Sequence, residues 1–331
     1  MTSRFQRFAF LAIFCSLTSV QALALNLKGW VRETADYPQH QGLVHFFDRL
    51  KALSQDRFIG QVICCEELGG QAKVVPLFKK GEVDVVLFFA SALSNDLAEM
   101  NVLSLPFLFR DPAHMMSALK GEVGAELQNM LAAKGYQVLT WYDGGSRSFY
   151  SRNKSLTYAS DFKGQTIRVA NKKDHISMVE ALGGKPSTLA FDKLPTALKA
   201  GEIDIAENDL TSYFTSEHYK VAPHYTFSHH AVLPIAVLVS TQRWQSLSES
   251  DKGLFRQAAL ESAAYAARMR AERDADIRSR LEKAGVKFYP FRSASTAISQ
   301  MKDTYTPVIS SPKATELMMK IMTTQTASSA P

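Results

Sequence analysis

The stretch Asp161-Phe162-Lys163-Gly164-Gln165-Thr166-Ile167-Arg168-Val169 combines a turn with a short β-branched run that contains one arginine. Glycine followed by threonine, isoleucine and valine predicts a strand that begins after the turn. A guanidinium at the end of that strand presents planar, paired donors that match a carboxylate, and it stays charged at physiological pH. Arg168 is therefore a candidate anchor for an organic anion, with a surface salt bridge as the alternative.

Two other segments show the same order of turn, strand and polar end. Ala200 to Asn208 holds a glycine turn, an apolar run and then Glu207-Asn208, while Trp141 to Arg147 ends in two glycines, a serine and an arginine. Helical segments separate these runs. Alternating strands and helices predict an α/β fold, with parallel pairing and right-handed crossovers around Arg168.

Longer elements are predicted from the spacing of apolar residues. Ala113 to Lys134 predicts one helix, Gln137 to Tyr142 a strand that ends before Gly144-Gly145, and Phe227 to Ser240 a strand that returns to the first half of the fold. From Ser250 through Leu281, apolar residues recur three and four positions apart. This spacing predicts a helix of roughly 30 residues or more, about 45 Å long and longer than one small domain.

Four motifs follow one another in a characteristic order. They are Glu67-Leu68-Gly69, Leu105-Pro106-Phe107-Leu108-Phe109, Phe162 to Val169, and Thr196-Ala197-Leu198 continuing to Glu207-Asn208. Together they resemble the substrate-binding subunits of tripartite ATP-independent periplasmic (TRAP) transporters of the dicarboxylate-receptor type, over nearly the whole mature chain. The resemblance implies two lobes, each a mixed sheet flanked by helices, with the long helix bracing both.

The same resemblance implies a function and its partners. The protein is expected to bind a small organic acid in the cleft between the lobes and to deliver it to the permease subunits of a TRAP transporter in the inner membrane. A receptor for an ATP-driven transporter or a sensor kinase is the alternative, because a two-lobed cleft does not distinguish them. A secreted enzyme is a further alternative, but Gly144 to Ser148 matches a nucleophile turn only loosely, since its last glycine is missing.

The family's binding positions correspond to particular residues of this chain. Arg168 would pair with the carboxylate in bidentate fashion, Arg147 would contact the same or a second anionic group, and Asn208 would donate to the other carboxylate oxygen. The structural alternatives are a pair between Arg147 and Asp143, and a helix cap by Asn208 for the segment that begins near Thr211.

Three more residues are weaker candidates for the substrate-binding site. Glu67 occupies a position where the family often has a polar ligand contact, although an acid there would repel an anion unless it meets a hydroxyl or an amine. Tyr213 and Trp30 could shape an apolar wall, with plain core packing as the alternative for each.

The chain also departs from the family pattern near the expected cleft. Ala190 precedes Phe191 where proline is usual, Pro195 replaces a frequent aromatic residue, Asp209 follows Asn208 in place of proline, and residues 170–173 read Ala-Asn-Lys-Lys. These differences leave the fold intact as a prediction and put the identity of the solute in question.

The amino terminus has the pattern of a signal peptide over residues 1–24. Arg4 and Arg7 precede the apolar stretch Phe8 to Val20, and Ala22-Leu23-Ala24 supplies the small-x-small cleavage pattern. A membrane anchor is the alternative, but the apolar stretch is shorter than the ~20 residues that span a bilayer. A lipid on Cys15 is disfavoured by Phe14 before it, so we expect a soluble periplasmic protein.

Length and charge set the remaining expectations. The mature chain is longer than one core usually organises, which predicts lobe I from 25–144 and 233–272, lobe II from 145–232 and 273–322, and a flexible tail at 323–331. Without Arg4 and Arg7, 36 basic residues face 32 acidic ones, a formal charge of +4. Nucleic-acid binding would need a concentrated basic face, so we expect no nucleic-acid partner. The protein is also expected to be a monomer.

Small segments near Gly144-Gly145 and Val232-Leu233 are predicted hinges for closure on the solute.

Cysteines and histidines predict neither a metal site nor a cofactor. Cys64 and Cys65 are neighbours whose α-carbons lie ~3.8 Å apart, so a disulfide between them would require a strained turn, and two free thiols are the alternative. His229-His230 is a bare pair without the spacing of a zinc site.

Overall fold

The computed structural model describes residues 24–65 and 67–326, and within this part of the chain nine strands form one mixed sheet. The strands are β1 (Leu25–Val31), β2 (Phe58–Cys64), β3 (Val85–Phe89), β4 (Tyr136–Ser151), β5 (Thr166–Arg168), β6 (Lys185–Ser187), β7 (Ile205–Asp209), β8 (His224–Ser240) and β9 (Lys287–Pro290). Their spatial order is β2-β1-β3-β8-β4-β7-β5-β6, with β9 also beside β8. The predicted signal peptide, apart from Ala24, lies outside the described residues.

Helices cover both faces of this sheet. They are α1 (Pro38–Leu53), α2 (Gln71–Lys79), α3 (Pro112–Lys120), α4 (Glu122–Ala132), α5 (Lys173–Ala181), α6 (Leu194–Ala200), α7 (Leu210–Thr215), α8 (Thr241–Ser246), α9 (Glu249–Lys283), α10 (Ala294–Gln300), α11 (Lys302–Tyr305) and α12 (Pro312–Thr323). Around Arg168, β5 runs parallel to both β6 and β7, as the turn, strand and helix pattern predicted.

The two longest strands, β4 and β8, run antiparallel and connect the two ends of the sheet. The prediction that the strand before Gly144-Gly145 ends there was wrong. The strand continues through an irregularity between Asp143 and Ser146, where Gly145 has a φ of +93°. That left-handed backbone costs glycine little, so the strand bends without ending. The predicted return strand from Phe227 to Ser240 is confirmed as part of β8.

Helix α9 packs against two separate hydrophobic cores. Near its start Phe255 and Ala259 lie in a core with Leu43 of α1, whereas near its end Ile277 and Leu281 lie in a core with residues of α6 and α7. Its 35 residues span about 52 Å at 1.5 Å per residue. The predicted long brace and the two-lobed α/β fold are both confirmed.

Two predictions about helices need correction. The segment from Ala113 to Lys134 forms two helices, because the chain turns at Gly121, which is both the end of α3 and the start of α4. At the carboxyl end, α12 extends through Thr323, and Arg110 donates hydrogen bonds to Thr324 O and Thr326 Oγ1. The first residues of the predicted tail are therefore held, and residues 327–331 lie outside the described part. The exact lobe boundaries stay a prediction.

Candidate functional site

Arg168 is the last residue of β5 and is 8% exposed. Its Nε donates to Leu189 O at 2.9 Å, and its guanidinium carbon lies 5.5 Å from the ring centre of Phe191. Among the described residues neither terminal nitrogen has a hydrogen-bond partner, and neither is sealed from solvent. Burial lowers the pKa of Arg168, opposed by the charge of Glu207, but an arginine remains charged. Its paired donors thus point to accessible space.

Arg147, in the middle of β4, has most of its donors occupied. Nε and Nη2 bind the Glu207 carboxylate at 2.5 and 3.0 Å, and Nη1 donates to Asn208 Oδ1 at 2.8 Å. Nη2 also donates to the main-chain oxygen of Glu207 at 3.2 Å. The alternative pairing with Asp143 is wrong, because Asp143 accepts a hydrogen bond from the main-chain nitrogen of Gly145. One N–H of Nη1 has no hydrogen-bond partner among the described residues.

Glu207 is fully buried at the centre of this cluster. His230 Nε2 lies 3.4 Å and His175 Nδ1 3.8 Å from its oxygens, longer than normal hydrogen bonds. Burial is the largest single influence and opposes ionisation, but the charge of Arg147, together with polar contacts from His175, His230 and Arg147, outweighs it and holds the pKa of Glu207 well below its usual range. Burial also lowers the pKa of His230 to about 4, so this ring is neutral at physiological pH. The cluster therefore contains one fixed ion pair.

Strand register explains why Arg147, Asn208 and Arg168 come together. Ser148 of β4 lies opposite Asn208 of β7, and Arg168 of β5 lies opposite Ala206 of the same strand. Asn208 Oδ1 accepts from Arg147 and from the main-chain nitrogen of Asp209, while its amide nitrogen has no partner among the described residues. The helix-cap alternative for Asn208 is wrong, because Asp209 caps α7.

The other three candidates do not join this cluster. Glu67 is exposed in the loop after β2. Trp30 is fully buried and packs edge-on against Phe88. Tyr213 is fully buried and donates to Ala222 O at 2.7 Å. In this structure Trp30 and Tyr213 are core residues, as the packing alternative proposed.

A cavity of about 720 Å³ lies between the lobes, beside the cluster. Phe89, the last residue of β3, lines it from one side together with Ala90 and Ser91, and the start of α5 lines it from the other. His175 belongs to this lining and reaches Glu207, so the cavity and the cluster adjoin. None of the six predicted residues is among the described residues that line it.

The cavity wall has mixed charge. Lys172 and Lys173 line it together with three acids, Glu99, Asp174 and Asp303. Serine, threonine and asparagine side chains complete its polar surface. Such a lining suits hydroxyl groups better than a carboxylate, because its three acids outnumber its two lysines and accept hydrogen bonds from hydroxyls.

The sequence alone predicts no role for Glu207, Phe191 or His230. Glu207 lies in the fourth motif, Phe191 follows Ala190 where the family has proline, and His230 belongs to the His229-His230 pair, which lacks the spacing of a zinc site. Within residues 24–65 and 67–326, no group of three histidine, cysteine, aspartate or glutamate side chains could hold a metal ion. Nor is any helix in these ranges long and apolar enough to cross a membrane.

The fold and the cluster define a two-lobed solute-binding protein, and comparison with known proteins identifies its family. The sequence model of bacterial extracellular solute-binding protein family 7 matches residues 31–313, and the chain belongs to this family of TRAP solute-binding proteins. It is 30% identical to a solute-binding protein of Chromohalobacter salexigens, over 92% of this chain and 91% of the relative.

Solved structures show the same relationship. A TRAP periplasmic solute-binding protein from Roseobacter denitrificans with bound β-D-glucuronate is 31% identical, with a TM-score of 0.77, over 91% of this chain and 100% of that one. One from Bradyrhizobium sp. BTAi1 in complex with α/β-D-galacturonate is 30% identical, with a TM-score of 0.73, over 90% and 99%.

Proposed function

We propose that the mature protein is a periplasmic receptor for a hydroxylated monocarboxylic acid of the uronate class, and that Arg168 binds its carboxylate. The observation that carries this proposal is the pair of free terminal nitrogens on a buried, charged guanidinium. A buried charge without a counter-ion is costly, and an incoming carboxylate would supply the missing partner with matching planar geometry.

The surroundings of Arg168 support the rest of the solute. Asn208 has a free amide nitrogen beside the cluster, and Arg147 keeps one N–H. The adjoining cavity, at about 720 Å³, falls within the usual range of roughly 300 to 1,000 Å³ for ligand sites. Its acids and hydroxyls would bind the sugar hydroxyls and disfavour a second carboxylate.

The comparisons support the same class of solute. The two solved structures described above, which are 31% and 30% identical to this chain, contain bound glucuronate and galacturonate. We infer that the protein acts as a monomeric receptor without enzymatic activity and delivers its solute to the permease subunits of a TRAP transporter.

Isothermal titration calorimetry on the mature protein tests the solute class. D-Glucuronate and D-galacturonate should bind, whereas D-glucose, which lacks the carboxylate, and succinate, which carries two, should bind far more weakly. Tight binding of succinate and not of either uronate would contradict the uronate assignment. Binding of none of these acids would contradict the receptor function as proposed.

Arg168→Ala tests the anchor. Losing one partner of a buried charged pair costs roughly 2 to 5 kcal/mol, so affinity for the uronate should fall about 30-fold or more. Arg168→Lys keeps the charge but loses the paired donors and should also weaken binding. Arg268→Ala, on the exposed surface of α9, is the matched control and should bind like the wild type. Unchanged affinity in a folded Arg168→Ala protein, checked by circular dichroism, would mean that Arg168 is structural.

A further inference from the structure

Two adjacent cysteines lie at the carboxyl end of β2. Cys64 is the last residue of the strand, and Cys65 follows with a φ of 61°. Both side chains are partly exposed thiols. A left-handed backbone is uncommon for a residue with a Cβ, so the chain makes a sharp turn at Cys65. In a continuing strand the two side chains would point to opposite faces, and the turn removes that separation.

The position of this pair relates it to the cavity. Cys64 lies opposite Val31 of β1, and β1 pairs in parallel with β3. The carboxyl ends of β2, β1 and β3 therefore share one edge of the sheet, and the residues that follow β3 line the cavity. With neighbouring strands about 4.8 Å apart, β2 lies about 10 Å from β3 along that edge.

The two thiols belong to neighbouring residues on one turn. Their interaction with each other raises the pKa of Cys64 to about 11. Two thiols alone do not complete the four-ligand set of a structural zinc site. What the pair can do without further ligands is form a sulfur–sulfur bond, and the turn at Cys65 provides the bent backbone that a ring of two neighbouring residues requires.

We propose that Cys64 and Cys65 are a redox modification site, joined into a vicinal disulfide when the exported chain meets an oxidising dithiol-disulfide protein. One cysteine sulfur attacks the disulfide of the oxidant and forms a mixed disulfide as the oxidant's own S–S bond breaks. The second cysteine then displaces the oxidant, which leaves as a dithiol. The protein loses two hydrogen atoms, and the oxidant gains two.

The product is an eight-membered ring that fixes the turn at the edge of the proposed binding cleft. Because consecutive α-carbons are ~3.8 Å apart, below the ~4.4 Å usual for disulfides, the ring is strained and easily reduced. Such bonds have more oxidising potentials than ordinary structural disulfides, so the site is reversible. This inference rests on export, because disulfides persist in the periplasm and are rare in the cytosol.

Thiol trapping on the exported full-length chain tests the proposal. The chain has three cysteines, and Cys15 is removed with the predicted leader, so any intramolecular disulfide in the mature monomer must join Cys64 to Cys65. Protein from the periplasmic fraction is denatured in the presence of N-ethylmaleimide, which alkylates free thiols, and its mass is measured by mass spectrometry. It should be two hydrogen atoms lighter than the dithiol form and carry no adduct. After reduction it should carry two. Cys64→Ser is the control and should take up one adduct after reduction while remaining a monomer.

Other outcomes would overturn the assignment. Two adducts without prior reduction, both in the periplasmic protein and after incubation with oxidised glutathione, would mean that the ring does not form. A covalent dimer on a non-reducing gel would mean that the cysteines pair between chains. Failure of export would refute the proposed location but not the ring, because the purified mature chain can still be oxidised with glutathione.

Hydrogen exchange of the amides at 67–70 should accelerate on reduction in the wild type and not in Cys64→Ser. Equal exchange before and after reduction would refute the fixed turn.

Discussion

The regions around Arg147 and Arg168 belong to strands β4 and β5, which lie on either side of β7 in one sheet, and they use the same side chain in opposite ways. Arg147 is paired with a carboxylate of its own protein, and its charge is neutralised within the fold. Arg168 has a backbone oxygen and an aromatic face as partners, so its charge is not neutralised locally. Under the proposed function, one arginine stabilises the site and the other is available for the ligand.

The largest expected effect is the loss of stability when Arg147 loses the carboxylate with which it is paired. Glu207→Gln would keep the shape of the side chain but leave Arg147 buried without its carboxylate, and removing one partner of a buried pair costs about 3 to 5 kcal/mol. Urea denaturation should show this loss in the free energy of unfolding. Glu261→Gln, which breaks the more exposed pair with Arg49, should cost far less, because solvent screens an exposed ion pair. Equal losses in the two variants would contradict the structural role of Arg147.

A pH series should show an intermediate effect, because each region also contains a buried neutral histidine. Burial lowers the pKa of His218, near Arg168, and of His230, near Arg147, to about 4. Below pH ~6.5 the unfolded chain protonates these rings while the folded protein does not, so stability should fall as pH falls from about 6.5 towards 4.

His218→Gln isolates one of these contributions. Each histidine contributes at most about 1.4 kcal/mol per pH unit, so the unfolding free energy of this variant should fall less steeply than that of the wild type. Urea denaturation at several pH values measures the two slopes. Identical slopes would mean that His218 binds protons equally in the folded and unfolded states.

The smallest expected effect concerns the aromatic neighbour of Arg168. Phe191 is 39% exposed and lies beneath the guanidinium, and exposed cation–π contacts contribute about 0.5 to 1 kcal/mol. Phe191→Leu should therefore weaken uronate binding about two- to fivefold in calorimetry. Phe191→Tyr keeps the ring and should bind nearly normally. A leucine variant as tight as the tyrosine variant would remove the ring from the description of the anchor.

Local sequence signals were sufficient to predict part of this molecule. The turn before Thr166 and the β-branched run after it placed Arg168 correctly at the end of a strand, and apolar spacing predicted α9. The continuation of β4 through Gly144-Gly145 was not predictable in the same way. A glycine pair equally fits a strand end or an irregularity, and pairing with β8, more than 80 residues away in sequence, decides between them.

The partner of Arg147 depended on information of the same long-range kind. Asp143 is near in sequence, whereas Glu207 is 60 residues away and becomes a neighbour only through the pairing of β4 with β7. The position of Arg168 was predictable from local sequence, because its free donors result from its place at the end of a strand. The ligand contacts of all six predicted residues stay predictions.

The return of β8 and α9 to the first lobe has a consequence for the order in which the protein can fold. As the chain emerges with its amino terminus first, β3 is made early, yet one of its two neighbours in the sheet is β8, where Val85 pairs with Val239. Likewise Arg49 of α1 meets Glu261 of α9, 212 residues later. The first lobe therefore remains incomplete, with one edge of β3 unpaired, until most of the second lobe has been produced. Such non-local pairing is slow and exposes apolar strands to aggregation, so a chaperone that holds the nascent or exported chain would matter most for this early segment.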